Sequence, residues 1–170
     1  MNRPAENEYL SYYNNYIKLV PQGNIVALME KQNTQFCEYL AQVSEEKAGY
    51  RYAEGKWSLK EVIGHLIDVE LIFLYRALRV SRNDQTLIPG FEQDDYVANG
   101  NYDEQDLSSL VEQFFHVRRS SVSLFKSFKD AMWTNTGNAN GHTISTRAIA
   151  FIMVGHVIHH MQIIQKRYLS

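Results

Sequence analysis

Four stretches of this chain carry apolar residues at the spacing of an α-helix, and none alternates as a half-buried strand does. The first series is Ile25, Leu28, Met29, Phe36, Tyr39, Leu40 and Val43. A second begins at Trp57-Ser58-Leu59-Lys60-Glu61 and runs to about Arg79, with Val62, His65, Val69, Ile72 and Arg76 on one stripe. The third holds Leu107, Leu110, Val111, Phe114, Val117, Phe125 and Phe128, with Arg118 in its midst. The fourth holds Ile149, Ile152, Met153, His156, His160, Ile163 and Ile164 and ends near Tyr168. Four amphipathic helices bury their stripes against one another, so the fold class expected is all-α, a four-helix bundle.

The helix starts carry their own signals. Ser58 and Glu61 form a capping box for the second helix. Asp103 is the expected N-cap of the third, and Ser145 or Thr143 that of the fourth. Residues 44–57, with Gly49 and Gly55, and residues 133–142, rich in Asn and Gly, read as loops. Residues 82–101 read as a connection of about twenty residues without helical period, a length that implies a functional segment or a crossover. Tyr9, Tyr12, Tyr13 and Tyr16 recur at i, i+3, i+4 and i+7, predicting a short N-terminal helical segment whose aromatic stripe packs on the body.

Three of the six histidines fall within Gly155-His156-Val157-Ile158-His159-His160-Met161-Gln162. His156 and His160 stand four apart and share a helix face, the spacing at which two imidazoles hold one divalent ion. A third ligand is needed, and His65 on the second helix is the candidate. His65 lies roughly 10 Å from the start of its helix, and His156 and His160 lie roughly 12 to 18 Å from the end of theirs, at 1.5 Å per residue. Antiparallel second and fourth helices put all three at one level. A short third connection then makes the second and third helices parallel, and residues 82–101 are long enough to cross between them. The expected topology is up, down, down, up, with Phe91, Asp94, Asp95 or Tyr96 of the crossover lining the approach to the histidines.

Three neutral imidazoles leave a divalent ion its full charge and an open fourth position, as catalytic rather than structural sites do. Around this centre, Asp68 is one turn beyond His65 and placed to orient a ligand, and His159 points to one side. Glu61 reads as a cap. Arg76 and Arg118 are expected to pair with buried carboxylates. His116 and His142 read as surface residues, and Cys37 lacks a partner for nucleophilic chemistry. No catalytic residue is assigned beyond Asp68 and His159 as weak candidates.

Composition bounds the partners. A chain of 170 residues is the size of one domain, expected to span 1–170. A formal charge of −2 gives no electrostatic reason to expect nucleic acid or a membrane as partner. No window was expected to reach the roughly 18 apolar residues of a membrane span. A single cysteine suits a reducing compartment, so a cytoplasmic location is expected.

The segment Trp57-Ser58-x-x-Glu61-Val62-x-x-His65-Leu66, followed by His156-x-x-x-His160, resembles the DinB-like superfamily, and Gly64-His65-Leu66 and Gly155-His156 are similar to its DinB_2 branch. The resemblance covers nearly the whole chain. It implies a four-helix bundle in which His65, His156 and His160 bind a divalent transition metal, whether zinc, nickel, iron or manganese. It also implies homodimers and a small-molecule substrate. Relatives include transferases and an isomerase that use low-molecular-weight thiols, and others regarded as metal-dependent hydrolases. The functional expectation is therefore a metal-dependent hydrolase or thiol S-transferase, with a non-catalytic metal-binding or stress-response module as the alternative.

Overall fold

The computed structural model describes residues 2–169, so Met1 and Ser170 of the expected 1–170 domain lie outside the described residues. Short 3-10 turns at Glu6–Glu8 and Ser11–Tyr13 precede α1 (Asn14–Ile17), α2 (Ile25–Leu40), α3 (Glu45–Ala48), α4 (Leu59–Ser81) and α5 (Gln93–Asn99). Then come α6 (Leu107–Lys126), a hairpin of β1 (Thr136–Ala139) and β2 (His142–Ser145), and α7 (Thr146–Ile163). A π-helical turn, Ile164–Tyr168, carries α7 on. The four periodic stretches are thus α2, α4, α6 and α7.

Side chains that accept from otherwise unpaired N–H groups fix where these helices begin. Asn24 accepts from Val26 and Ala27 at the start of α2. The α4 capping box is present, with the Ser58 hydroxyl accepting from the Glu61 amide at 3.0 Å and the Glu61 carboxylate from the Ser58 amide at 2.8 Å. Ser145 caps α7 by accepting from Ala148.

The cap of α6 departs from expectation. Asp106 occupies the N-cap without a side-chain bond, and Glu45 from α3 accepts the Leu107 amide instead, at 2.7 Å. Asp103 sits in a 3-10 turn, where Ser58 and Arg51 donate to it. It ties the crossover to the start of α4 rather than capping a helix.

Contacts between helix ends give the direction of each helix. Lys126 at the end of α6 meets Glu30 near the start of α2, and Cys37 near the end of α2 meets Val111 near the start of α6. These two are antiparallel. Glu45 joins the N-terminal ends of α4 and α6 through Lys60 and the Leu107 amide, and Arg118 meets Glu70 midway along, so α4 and α6 are parallel. Tyr168 donates to the Trp57 carbonyl while Asn135, whose carbonyl accepts from the Thr146 amide at the start of α7, donates to Ser81 at the far end of α4. Helices α4 and α7 are antiparallel. The order is up, down, down, up, with the crossover between α4 and α6.

Three connections carry more structure than the sequence period suggested. The 44–57 segment includes α3, and the crossover includes α5. Residues 133–142 are not a plain loop, because β1 and β2 pair antiparallel there. The physical cause is Asn140-Gly141, both at positive φ (54° and 79°), as the two central positions of a tight hairpin turn require. The N-terminal tyrosines are only partly helical, since α1 begins at Asn14.

Apolar side chains gather in two clusters. One, around Met29, Phe73, Ala77, Ile149 and Met153, lies toward the hairpin end. The other, around Phe36, Leu59, Ile63, Leu110, Phe114 and Ile164, lies toward the opposite end. Contrary to expectation, Thr146–Tyr168 is long and apolar enough to cross a membrane by length and composition, with mean hydropathy 1.3. Its apolar residues face all round because α1, α2 and α4 pack on it, and 67% of that window is buried. A helix enclosed on all sides by protein is apolar all round for that reason.

Candidate metal centre

His65 sits two turns into α4 on the inward stripe, and His156 and His160 stand one turn apart near the end of α7. Antiparallel packing brings the three together. The Nε2 atoms of His65 and His156 are 3.2 Å apart, and those of His160 and His156 are 3.1 Å apart. One ligand atom from each of the three residues lies within 4.8 Å of the others. Among the described residues this is the one His, Cys, Asp and Glu group so arranged.

The spacing fits a shared ion. Two imidazole nitrogens about 2.0 to 2.1 Å from a tetrahedral ion stand roughly 3.3 Å apart. Without an ion the same geometry is awkward. A ring nitrogen carries either one proton or one lone pair, so His156 Nε2 satisfies both neighbours only if two donors share that lone pair or two acceptors share that proton. A divalent cation takes all three lone pairs at once.

Electrostatics favour the ligand form of the rings. Burial pushes the His65 imidazole down to about 4 and that of His160 to about 3. His156 lies well below the usual range, first from burial and then from the neighbouring histidines. All three are neutral at pH 7, as metal ligation demands. His65 and His156 are buried, at 2% and 6% exposure, whereas His160 is partly exposed and lines a cleft of about 480 Å³. Tyr52, Lys56, Trp57, Asp94 and Tyr168 complete its walls. Of the crossover residues expected near the approach, Asp94 is the one that lines this cleft.

Aromatic rings hold the imidazoles. The Trp57 ring lies 5.0 Å from that of His65, and the Tyr16 ring meets His156 and His159 edge-on at 5.2 and 5.3 Å. The glycine before each buried histidine admits this packing. A Cβ at Gly64 would fall 2.3 Å from the Tyr102 ring, and one at Gly155 would fall 2.1 Å from the Tyr16 carbonyl oxygen. Gly64 seats the crossover, and Gly155 seats the N-terminal segment. Neither tyrosine was singled out for the site, although the two Gly-His pairs mark where a neighbouring backbone comes close.

The remaining candidates fall as follows. His159 is half-buried beside His160 and against Tyr16. Asp68 does not orient a histidine as expected, because its carboxylate accepts from the Tyr102 hydroxyl at 2.5 Å. The Nδ1 of His160 is buried without a partner among the described residues. Arg118 is paired as expected, 2.9 Å from Glu70. Arg76 is not, since it faces Phe73, Phe91, Tyr13 and the Pro89 carbonyl with no carboxylate among the described residues. Glu61 acts as the cap, also bonded by Arg51. His116 and His142 are exposed, and burial pushes the half-buried Cys37 thiol up to about 11.

Comparison with known proteins extends this picture. The family model described as the DinB superfamily matches residues 28–164. Among solved structures, YfiT from Bacillus subtilis, described as a probable metal-dependent hydrolase with an unusual four-helix bundle topology, superposes with a TM-score of 0.75 at 14% identity. The match covers 97% of this chain and 90% of YfiT. A mycothiol-dependent maleylpyruvate isomerase gives 0.67 at 14% identity, over 85% of this chain and 60% of the isomerase. A DinB-like protein of Bacillus subtilis gives 0.59 at 17% identity, over 84% of this chain and 87% of that protein. No curated protein matches.

Proposed function

This chain belongs to the DinB superfamily, and on that premise we propose that it is a metal-dependent enzyme transferring a low-molecular-weight thiol to a small electrophilic substrate. The observation that carries the reading is the convergence of three neutral imidazole nitrogens on one point, beside a cleft that His160 lines. His65, His156 and His160 would hold a divalent transition ion, with zinc, nickel, iron and manganese all compatible with imidazole donors. Held by three neutral ligands, such an ion offers an open position and lowers the pKa of a thiol or water that enters it.

The choice of thiol over water rests on the lack of a base bonded to the three histidines. Among the described residues none of the three histidines has a carboxylate partner, and Asp68 is engaged with Tyr102. A thiol, with a pKa near 8.5, ionises with far less help than water does. The similarity to a mycothiol-dependent isomerase points the same way. Trp57 and Tyr16 fix the rings, and Tyr52, Tyr168 and Lys56 line the cleft.

Hydrolysis is the second reading, favoured by the similarity to YfiT, described as a probable metal-dependent hydrolase, and by one observation in the site. The exposed Asp94 lines the same cleft as His160 and could take a proton from water. Apoprotein loaded in turn with zinc, nickel and manganese, then assayed for thiol consumption with small electrophiles and for ester and amide hydrolysis, separates the two. The proposal expects metal-dependent thiol consumption, lost in His160→Ala with the melting temperature retained. Ester or amide turnover without thiol consumption replaces it with the second reading. No turnover with any metal leaves a non-catalytic metal-binding module and overturns both.

A further inference from the structure

The chain buries two arginines, and only one has an acid. Arg118 is 0% exposed and sits 2.9 Å from Glu70, with Gln32 and the Met153 carbonyl accepting its other N–H groups. Arg76 is 3% exposed and faces no carboxylate among the described residues. Its guanidinium lies over the Phe73 ring at 4.9 Å and the Phe91 ring at 5.9 Å, against the Tyr13 hydroxyl. It donates one long bond, 3.3 Å, to the Pro89 carbonyl, and its Nε is buried with no hydrogen-bond partner; Arg118 Nε also lacks a hydrogen bond, but it has the Glu70 carboxylate 2.9 Å away. A buried charge without a counter-charge is expensive, so an anion that reaches it from outside is bound favourably.

The position says which anion. Arg76 follows His65 by eleven residues, three turns on the same α4 stripe and roughly 16 Å along the axis. The guanidinium leans back over Phe73, about a turn earlier, which brings it to roughly 11 Å from the level of His65. Between the two run Tyr13 and Tyr16, whose rings lie 6.5 Å apart and connect Arg76 to His156. Phe91 and Pro89 of the crossover form the cover.

We propose that Arg76 is the carboxylate-binding residue of the substrate site. It would receive a planar carboxylate in its two-pronged fork while the reacting end of the same molecule lies at the histidines. This assignment of substrate class rests on the proposed histidine centre, but anion binding at Arg76 does not. The substrate class is a small carboxylic acid whose reactive group is separated from its carboxylate by about the length of two helical turns. Binding displaces the Pro89 carbonyl and lifts the Phe91 cover. Arginine suits this role better than lysine because its fork matches a carboxylate bidentately.

The test follows the Arg76 Nε–H resonance in the ¹⁵N spectrum, assigned by its loss in Arg76→Lys. Acetate, succinate, inorganic phosphate and chloride are titrated against the full chain, both metal-free and zinc-loaded. The proposal expects a saturable shift with acetate or succinate, and affinity at least about tenfold weaker in Arg76→Met. His160→Ala, which breaks the metal centre, should keep the acetate response, so failure of the metal reading is seen separately. An Nε–H resonance that no carboxylate moves, or a response to phosphate alone, overturns the proposal even if Arg76→Met does not fold. Undiminished carboxylate binding in a folded Arg76→Met overturns it as well.

Discussion

Two polar layers interrupt the apolar interior of this bundle, and they are built on opposite principles. The first, at mid-height, joins Glu70 to Arg118 and adds Gln32 and the Met153 carbonyl. Nearby, Asn33 donates to the Phe115 carbonyl. Charge meets counter-charge there, and the partners come from the fold itself. The second layer places three buried histidine nitrogens against one another with no carboxylate among them. One layer has its charges compensated as folded, whereas the other is complete only when something binds. A buried polar group that its own fold leaves unmatched is the better mark of a functional site.

The largest expected effect lies in the matched layer. Glu70→Ala strands the Arg118 charge in the interior and should lower unfolding free energy by about 3 to 5 kcal/mol, measured by urea denaturation. Replacing both partners, Glu70→Leu with Arg118→Met, should recover most of that loss. A Glu70→Ala protein as stable as the parent would erase the distinction between the layers.

In the histidine layer the effects should reverse. His156→Ala should weaken divalent-metal affinity by more than about 100-fold, read by calorimetric titration. Metal-free stability should change by only about 1 kcal/mol, because the lost packing is offset by removal of a poorly satisfied polar group. Gly155→Ala comes next. Its methyl group would drive Tyr16 off His156, for a cost of about 1 to 3 kcal/mol by thermal unfolding, with weaker metal binding alongside.

Acidity sharpens the contrast further. The folded-state pKa values of His65 and His160, about 4 and 3, lie below the unfolded value near 6.5, so the unfolded chain binds more protons in between. Their contribution is fully present above about pH 6.5 and is lost as the pH falls toward 4 for His65 and toward 3 for His160. Metal-free protein should therefore lose stability across that window in denaturation curves taken at successive pH values. In His156→Ala the loss should be shallower. Smallest of all, His116→Ala and His142→Ala should leave metal content unchanged and stability within about 0.5 kcal/mol.

Much of this contrast was legible in the sequence, though unevenly. The four long helices follow from apolar spacing, and the level of His65 with His156 and His160 follows from rise per residue alone. Long periodic segments report their own local physics in this way. What was illegible depends on neighbours distant in sequence. Arg76 and Arg118 look alike on apolar stripes, and only tertiary packing gives Glu70 to one and nothing to the other. Glu70 itself was overlooked, although a glutamate within Ile67-Asp68-Val69-Glu70-Leu71-Ile72-Phe73 is a signal of a buried pair. The α6 cap failed for the same reason, since a glutamate from α3 supplies what Asp103 was expected to give. The hairpin was marked locally by Asn140-Gly141 and is the one element that turn chemistry could have found.

The measurement closest to the central claim is the metal content of untagged protein, by mass spectrometry of the elements, for the parent chain and for His65→Ala, His156→Ala and His160→Ala. The account predicts one divalent transition-metal ion per parent chain and its loss from each variant, with helical circular dichroism intact. A parent chain that neither carries nor takes up such an ion, or variants that retain it in full, would contradict it.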